Sequence, residues 1–250
     1  MRSTRIQTLL GAVLILTACS GTTADTTEPS LVTTTTVGDT ALPPAFPAEV
    51  TTGTGTVTIP ARPERIAALS ATHVEMLFAI GAGDQVVAAD LFSDYPPEAS
   101  GLLQLDSFNL SVEAVVALEP DLVVVSFDPV DAVAAFDVLG VPTLLLGTAT
   151  SLDDVFAQLR TLGTATGHAA EAEDLVADIA GRIDAAVADV GDRAAGLTYY
   201  HETDPFGFYT PNSQSFIGQL YGMLGMENIA DAAPDELGSG FPQLSPEFIL

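Results

Sequence analysis

The chain has 250 residues, 48% of them hydrophobic and twelve of them phenylalanine, which suits a packed body of one or two domains and excludes disorder throughout. Its charge is lopsided, with 33 acidic residues against 7 basic ones, all arginine, for a formal net charge of −26. Nothing in that balance neutralises phosphates, so nucleic acid is excluded as a partner and anionic lipid is disfavoured as a specific ligand.

Arg2 and Arg5 open the chain as a positive n-region, and Leu9 to Leu16 follow as an apolar stretch too short to span a bilayer. Small residues Thr17 and Ala18 suit a signal peptidase, so residues 1–18 are expected to be a signal peptide. The run Leu16-Thr17-Ala18-Cys19 resembles a bacterial lipobox. That resemblance implies cleavage before Cys19, lipidation of Cys19, and an extracytoplasmic protein anchored to the outer face of the bacterial cell membrane. An ordinary secretory signal with an incidental cysteine is the alternative. Cys19 is the sole cysteine, so no disulfide forms within the chain. Residues 19–56 are Thr-rich, carry Pro43, Pro44 and Pro47, and show no apolar periodicity; they read as a flexible tether.

An α/β lobe is expected over residues 57–150. Arg65–Leu69 reads as a buried strand, and Thr72-His73-Val74-Glu75 as a capping box opening a helix that Gly81 and Gly83 stop. Gln85–Ala89 is the next strand. Helix Val112–Leu118 with strand Asp121–Ser126, then helix Pro129–Leu139 with strand Val141–Leu146, continue the alternation of a mostly parallel sheet covered on both faces. Residues 151–192 change character, with helical periodicity alone. Gly167 separates a first helix from a long second one over about His168 to Val190, roughly 30 Å of rod. Residues 193–250 resume the alternation with strand Leu197–His201, an aromatic segment Phe206–Thr210 and helix Ser213–Leu224.

The two α/β stretches share a signature. Leu110-Ser111-Val112-Glu113 and Leu244-Ser245-Pro246-Glu247 each read as a Ser N-cap with Glu in the first helical turn, a few residues after Phe108 or Phe241. This weak internal repeat predicts that the second lobe is incomplete at the chain end, with an exposed sheet edge and reduced stability.

These residues resemble the substrate-binding lipoproteins of ABC importers for ferric siderophores, haem and cobalamin. The carrying segments are Leu69-Ser70-Ala71-Thr72-His73-Val74-Glu75, Ser93-Asp94-Tyr95-Pro96-Pro97-Glu98-Ala99, Leu118-Glu119-Pro120-Asp121-Leu122-Val123-Val124, Leu139-Gly140-Val141-Pro142 and Phe241-Pro242-Gln243-Leu244-Ser245-Pro246-Glu247. The resemblance implies two α/β lobes joined by one long backbone helix, the class III periplasmic-binding-protein type, with ligand held between the lobes. It also implies an ABC permease and its ATPase subunits as partners to a monomeric receptor that is not an enzyme. Ser-Asp-Tyr-Pro-Pro-Glu-Ala is most similar to the cobalamin-binding members. By that similarity Tyr95 faces a corrinoid, and Phe108 and Phe241 stand where those relatives carry tryptophan. A third such tryptophan aligns with Ser126, next to Phe127. Tryptophan is absent from this chain. The same resemblance gives Glu113 and Glu247 as carboxylates that dock on the permease, one per lobe.

Phe206 and Tyr209, in a loop after a strand, are candidates for stacking on a flat macrocycle or chelate. His73 lies at the carboxyl end of a parallel strand, where α/β clefts form; it reads either as a ligand contact or as a structural helix-start residue. His73 and His201 lack metal-ligand spacing, so no metal site and no intrinsic cofactor are expected; a haem- or metal-ion-binding relative of the same fold is the alternative. None of Arg62, Arg65, Arg160, Arg182 and Arg193 falls in a predicted cleft loop, which favours a corrinoid or neutral ferric siderophore over an anionic catecholate. The chain lacks a G-x-S-x-G elbow, an H-E-x-x-H helix and a P-loop, leaving an anchored enzyme or a non-transport surface lipoprotein as the lesser readings.

Overall fold

The structure, a computed structural model, describes residues 45–204, 206–236 and 238–250. Cys19, the signal segment 1–18 and the tether up to residue 44 lie outside the described residues.

The first described element is one the sequence pattern did not suggest. Strand β1 (Ala48–Thr52) pairs antiparallel with β2 (Gly55–Ile59), so the segment expected to belong to a tether ending at residue 56 is a hairpin. Alternation explains it: Ala48, Val50 and Ile59 are buried in the main core while Glu49 and Thr58 face water. Thr and Pro dominate the surrounding composition and hide so short a period-two signal.

A parallel five-stranded sheet follows. Its strands are β3 (Ile66–Leu69), β4 (Val86–Asp90), β5 (Leu103–Leu105), β6 (Leu122–Val125) and β7 (Thr143–Leu145), in spatial order β5-β4-β3-β6-β7. β3, β4 and β6 are apolar throughout apart from Asp90 because both faces are covered. Ile66, Ala68, Leu122, Val124 and Leu144 face one core, and Ala67, Leu69, Val123 and Val125 face the other. On the first side pack α1 (Ala71–Ala79), α4 (Leu152–Thr166) and α5 (Ala169–Val190). On the second lie α2 (Val112–Val116) and α3 (Ala132–Val138), with Phe136 fully buried.

Two helix starts differ from expectation. The T-x-x-E pattern puts the cap of α1 at Thr72, but the N-cap is Ser70, without a side-chain cap bond. β3 ends at Leu69 and the Val74 N–H already bonds the Ser70 carbonyl at 3.0 Å, so the chain turns into helix two residues earlier. The helix expected from Pro129 is interrupted by Val130 and Asp131, both in the left-handed region, and α3 starts at Ala132.

The helical stretch matches its pattern closely. Ser151 caps α4 in a reciprocal capping box with Asp154, and Gly167 closes it at φ +80°. α5 begins after His168 and runs 22 residues unbroken, roughly 33 Å. Gly163 lets the two helices approach closely, since a Cβ there would strike Ala172.

Beyond α5 the chain forms a separate β-α-β unit: β8 (Thr198–Tyr199), α6 (Phe216–Gly222) and β9 (Glu227–Asn228), with β8 and β9 parallel. β8 is shorter than the expected Leu197–His201. Two separate parallel sheets on either side of a long continuous helix is the expected two-lobe architecture. The last element, α7 (Pro246–Ile249), carries the second of the two matched caps. Among the described residues, no helix is long and apolar enough to cross a membrane.

Candidate functional site

In a parallel sheet all strands point their carboxyl ends the same way, and the loops leaving that edge form the natural cleft. Three loops of the first lobe place phenylalanines there. Phe92 follows β4, Phe108 follows β5, and Phe127 follows β6. Phe108 is the middle ring: its centroid lies 6.2 Å from Phe92, edge to face, and 5.3 Å from Phe127, tilted. These rings are exposed rather than buried, Phe108 by 67% and Phe92 by 65%. Contiguous exposed rings of this kind offer a face on which a flat apolar partner can stack.

Phe92 is not among the residues that the sequence pattern marks for the site. Its signal is position, two residues beyond the end of a buried strand and directly before the Ser-Asp-Tyr-Pro segment. Tyr95, expected in the cleft, is not part of this cluster. The chain reverses over residues 90–94, where the Ser93 N–H bonds the Asp90 carbonyl and the Asp94 N–H bonds the Phe92 carbonyl. Tyr95 consequently lines a different groove of ≈ 680 Å³, against Met76 and Phe78 of α1 and Leu175, Ile179 and Arg182 of α5.

In the second lobe an isolated bridge pairs Tyr209 with Gln243 and brings the 206–210 loop alongside the 241–244 segment. The Thr210 N–H bonds the Pro242 carbonyl, the Leu244 N–H bonds the Phe208 carbonyl, and the Gln243 side chain donates to the Gly207 carbonyl at 2.8 Å. The segments that carry Phe206, Tyr209 and Phe241 are thereby held side by side, and the three side chains are left exposed, Phe206 by 92%. Tyr199 and Tyr221, by contrast, stack at 4.2 Å within the lobe. Among the described residues, aromatic contacts stay within one lobe or the other.

His73 is 1% exposed at the start of α1. Its Nε2 meets Gln158 Oε1 at 3.2 Å, while Gln158 Nε2 donates to the Gly147 carbonyl at 2.7 Å. Burial pushes its pKa below the ordinary imidazole value, so the ring is neutral at pH 7. His73 lines a ≈ 320 Å³ recess with Ser70, Ser126, Gly147 and Phe216, where an α6 side chain meets the strand ends of the first lobe. The lobes also touch where Gln219 donates to the Thr150 carbonyl at 2.9 Å. His201 turns elsewhere, with Nδ1 3.1 Å from the Tyr221 hydroxyl. Among the described residues no group of three His, Cys, Asp or Glu is placed to hold a metal ion.

All five arginines of the described chain have hydrogen-bond or ion-pair partners of their own. Arg62 bonds the Thr166 carbonyl and His168, and Arg65 bonds the Leu118 and Glu119 carbonyls. Arg160, Arg182 and Arg193 pair with Glu173, Asp178 and Asp189. Glu113 and Glu247 are both exposed at the first turns of α2 and α7, below Ser111 and Ser245 caps of the same kind. The Glu247 carboxyl is held below the usual carboxylate range by its own backbone N–H and the Ser245 hydroxyl.

Two unequal α/β lobes on a continuous helical rod, with exposed rings at the strand ends, define a class III solute-binding fold. The chain belongs to the periplasmic binding protein family, whose model matches residues 66–250. It is 32% identical over 197 residues to the vitamin B12-binding protein of Pectobacterium carotovorum, covering 76% of this chain and 68% of that one. It is 33% identical over 201 residues to the cobalamin-binding protein of Halobacterium salinarum, covering 78% of this chain and 53% of that one. Among solved structures it is similar to a possible iron-binding (periplasmic solute-binding) protein from Staphylococcus epidermidis. That match has a TM-score of 0.66 at 22% identity and covers 76% and 74% of the two chains.

Proposed function

We propose that this protein is the solute-binding receptor of an ABC importer, lipid-anchored through Cys19, and that it takes a corrinoid or a neutral ferric chelate between its lobes. The observation that carries this reading is the exposed Phe92-Phe108-Phe127 cluster at the carboxyl edge of the first sheet. Phe206, Tyr209 and Phe241 would form the opposite wall. The chemistry of the rings and the pairing of each arginine within the chain support this ligand class; two of the relatives above carry B12 or cobalamin in their names. A strongly anionic chelate would need cations that the ring cluster does not offer. The protein binds and delivers, and ATP is hydrolysed by partner subunits.

Glu113 and Glu247 are the permease contacts in this reading, since matched exposed carboxylates on the two lobes suit recognition by paired arginines. A thermal-shift screen of the soluble body against cyanocobalamin, haemin and a neutral ferric hydroxamate tests the ligand class, and no stabilisation by any of the three would refute it. Charge reversal at Glu113 and Glu247 should abolish uptake while leaving ligand affinity unchanged. Unaltered uptake would remove the docking role.

A further inference from the structure

Four of the exposed phenylalanines are seated by the same local device. In each case the residue two positions upstream turns a side-chain oxygen onto the backbone N–H of the ring-bearing residue. Asp90 Oδ1 accepts from Phe92 at 2.9 Å, Asp106 Oδ1 from Phe108 at 3.0 Å, and Asp204 Oδ1 from Phe206 at 2.9 Å. Ser239 Oγ accepts from Phe241 at 3.1 Å. These are Asx and Ser turns, and none of the four rings sits in a helix or strand that would otherwise fix its backbone.

The same side chains also brace the surrounding loops. Asp106 takes the Asn109 side-chain amide on Oδ2 at 2.8 Å, and Asp204 takes the Gly207 N–H on Oδ2 at 2.9 Å. Asp90 accepts the Ser107 hydroxyl on Oδ2, which ties the Phe92 loop to the Phe108 loop. Ser239 is itself held, because Asp235 accepts from the Ser239 and Gly240 N–H groups.

We infer that Asp90, Asp106, Asp204 and Ser239 are positioning residues that preorganise both ring walls for a stacked ligand. This rests on the reading of those rings as ligand walls. A ring on a loop loses backbone freedom when a ligand stacks on it, and a turn closed beforehand removes that cost from binding. What each turn requires is an acceptor oxygen two residues before the ring, not a charge. At Asp106 asparagine therefore serves in place of aspartate, because the Asn109 amide can turn over to accept from the new Nδ2–H; at Asp204 it would set a donor against the Gly207 N–H, and alanine serves at neither.

The chain has no tryptophan, so Phe108→Trp supplies a single fluorescent reporter in the middle of the first wall. In that background of the full chain, Asp106→Ala should lower the anisotropy of the introduced indole. It should also weaken cyanocobalamin binding about 5- to 20-fold. Asp106→Asn should restore both. The hydrogen bonds of Asp106 all lie in an exposed loop, so the alanine variant should lose little melting temperature. Asp204→Ala repeats the cyanocobalamin titration on the other wall. Unchanged anisotropy in Asp106→Ala, or an asparagine variant that behaves like alanine, overturns the inference. Lowered anisotropy with rescue in a protein that never binds cyanocobalamin upholds the positioning role and overturns the corrinoid reading instead.

Discussion

Phe108→Ala separates a binding surface from a structural one, because this ring is the middle member of its cluster. It touches Phe92 at 6.2 Å and Phe127 at 5.3 Å, yet 67% of it remains in water. An aromatic pair adds about 0.5–1.5 kcal/mol beyond area burial, and less where the rings are this exposed. The expected loss of folding stability is about 1 kcal/mol, or roughly 2–4 °C in Tm for a chain of this size. Full burial of a phenylalanine side chain gives about 1.5–3 kcal/mol, and two-thirds of this one is left for the ligand. That share, about 1–2 kcal/mol, corresponds to a Kd about 5- to 30-fold weaker. Calorimetric titration of whichever ligand stabilises the wild type, run beside thermal melts, measures both quantities. Phe136→Ala is the structural control: that ring is fully buried, and its loss costs about 3–5 kcal/mol. A Phe108→Ala protein that melts as early as Phe136→Ala, or binds within twofold of wild type, would refute the assignment of Phe108 to a ligand wall.

Binding held by stacking and shape should change little between low and high salt, and a steep fall in affinity measured at about 1 M NaCl would point to ion pairing instead. Burial lowers the pKa of His73, and burial followed by the Arg62 charge does the same for His168. The unfolded chain takes up protons near pH 6.5 that these native rings refuse, so their share of stability is present above that pH and is lost as pH falls below it. Melts from about pH 7.5 down to 5 should show this decline, and His73→Gln should make it shallower; an unchanged slope would clear His73 of the effect. Ser151→Ala removes one arm of the capping box of α4 and should cost about 0.5–2 kcal/mol in denaturant unfolding. Gly218→Ala should disorder the second lobe, because a Cβ there collides with the Asn212 carbonyl; normal ligand binding by that variant would show that the lobe tolerates the shift.

Much of the fold was legible because its signals are periodic. The buried strand runs around Ala67, Val123 and Leu144, the Ser111 and Ser245 caps, and the Gly167 break before α5 all depend on local chemistry readable within a few residues. What escaped depends on tertiary context. The 48–59 hairpin is stabilised by packing Ala48, Val50 and Ile59 on the main core, which a Thr-rich segment does not advertise. Tyr95 and Phe92 are three residues apart, and only the reversal at residues 90–94 decides which of them joins Phe108. His73 suits a helix start better than a ligand contact on its sequence position; its burial and its bond to Gln158 come from α4, which lies far along the chain. Phe216 carried no signal beyond helix membership, although α6 places it over the recess lined by His73.

Amide hydrogen exchange with and without the most stabilising ligand tests most directly whether that ligand sits between the lobes. Protection is expected together in residues 91–94, 107–109 and 126–128 of the first lobe and residues 206–210 and 240–243 of the second. Protection confined to one lobe, or falling on the α1 and α5 groove beside Tyr95, would contradict an interlobe site.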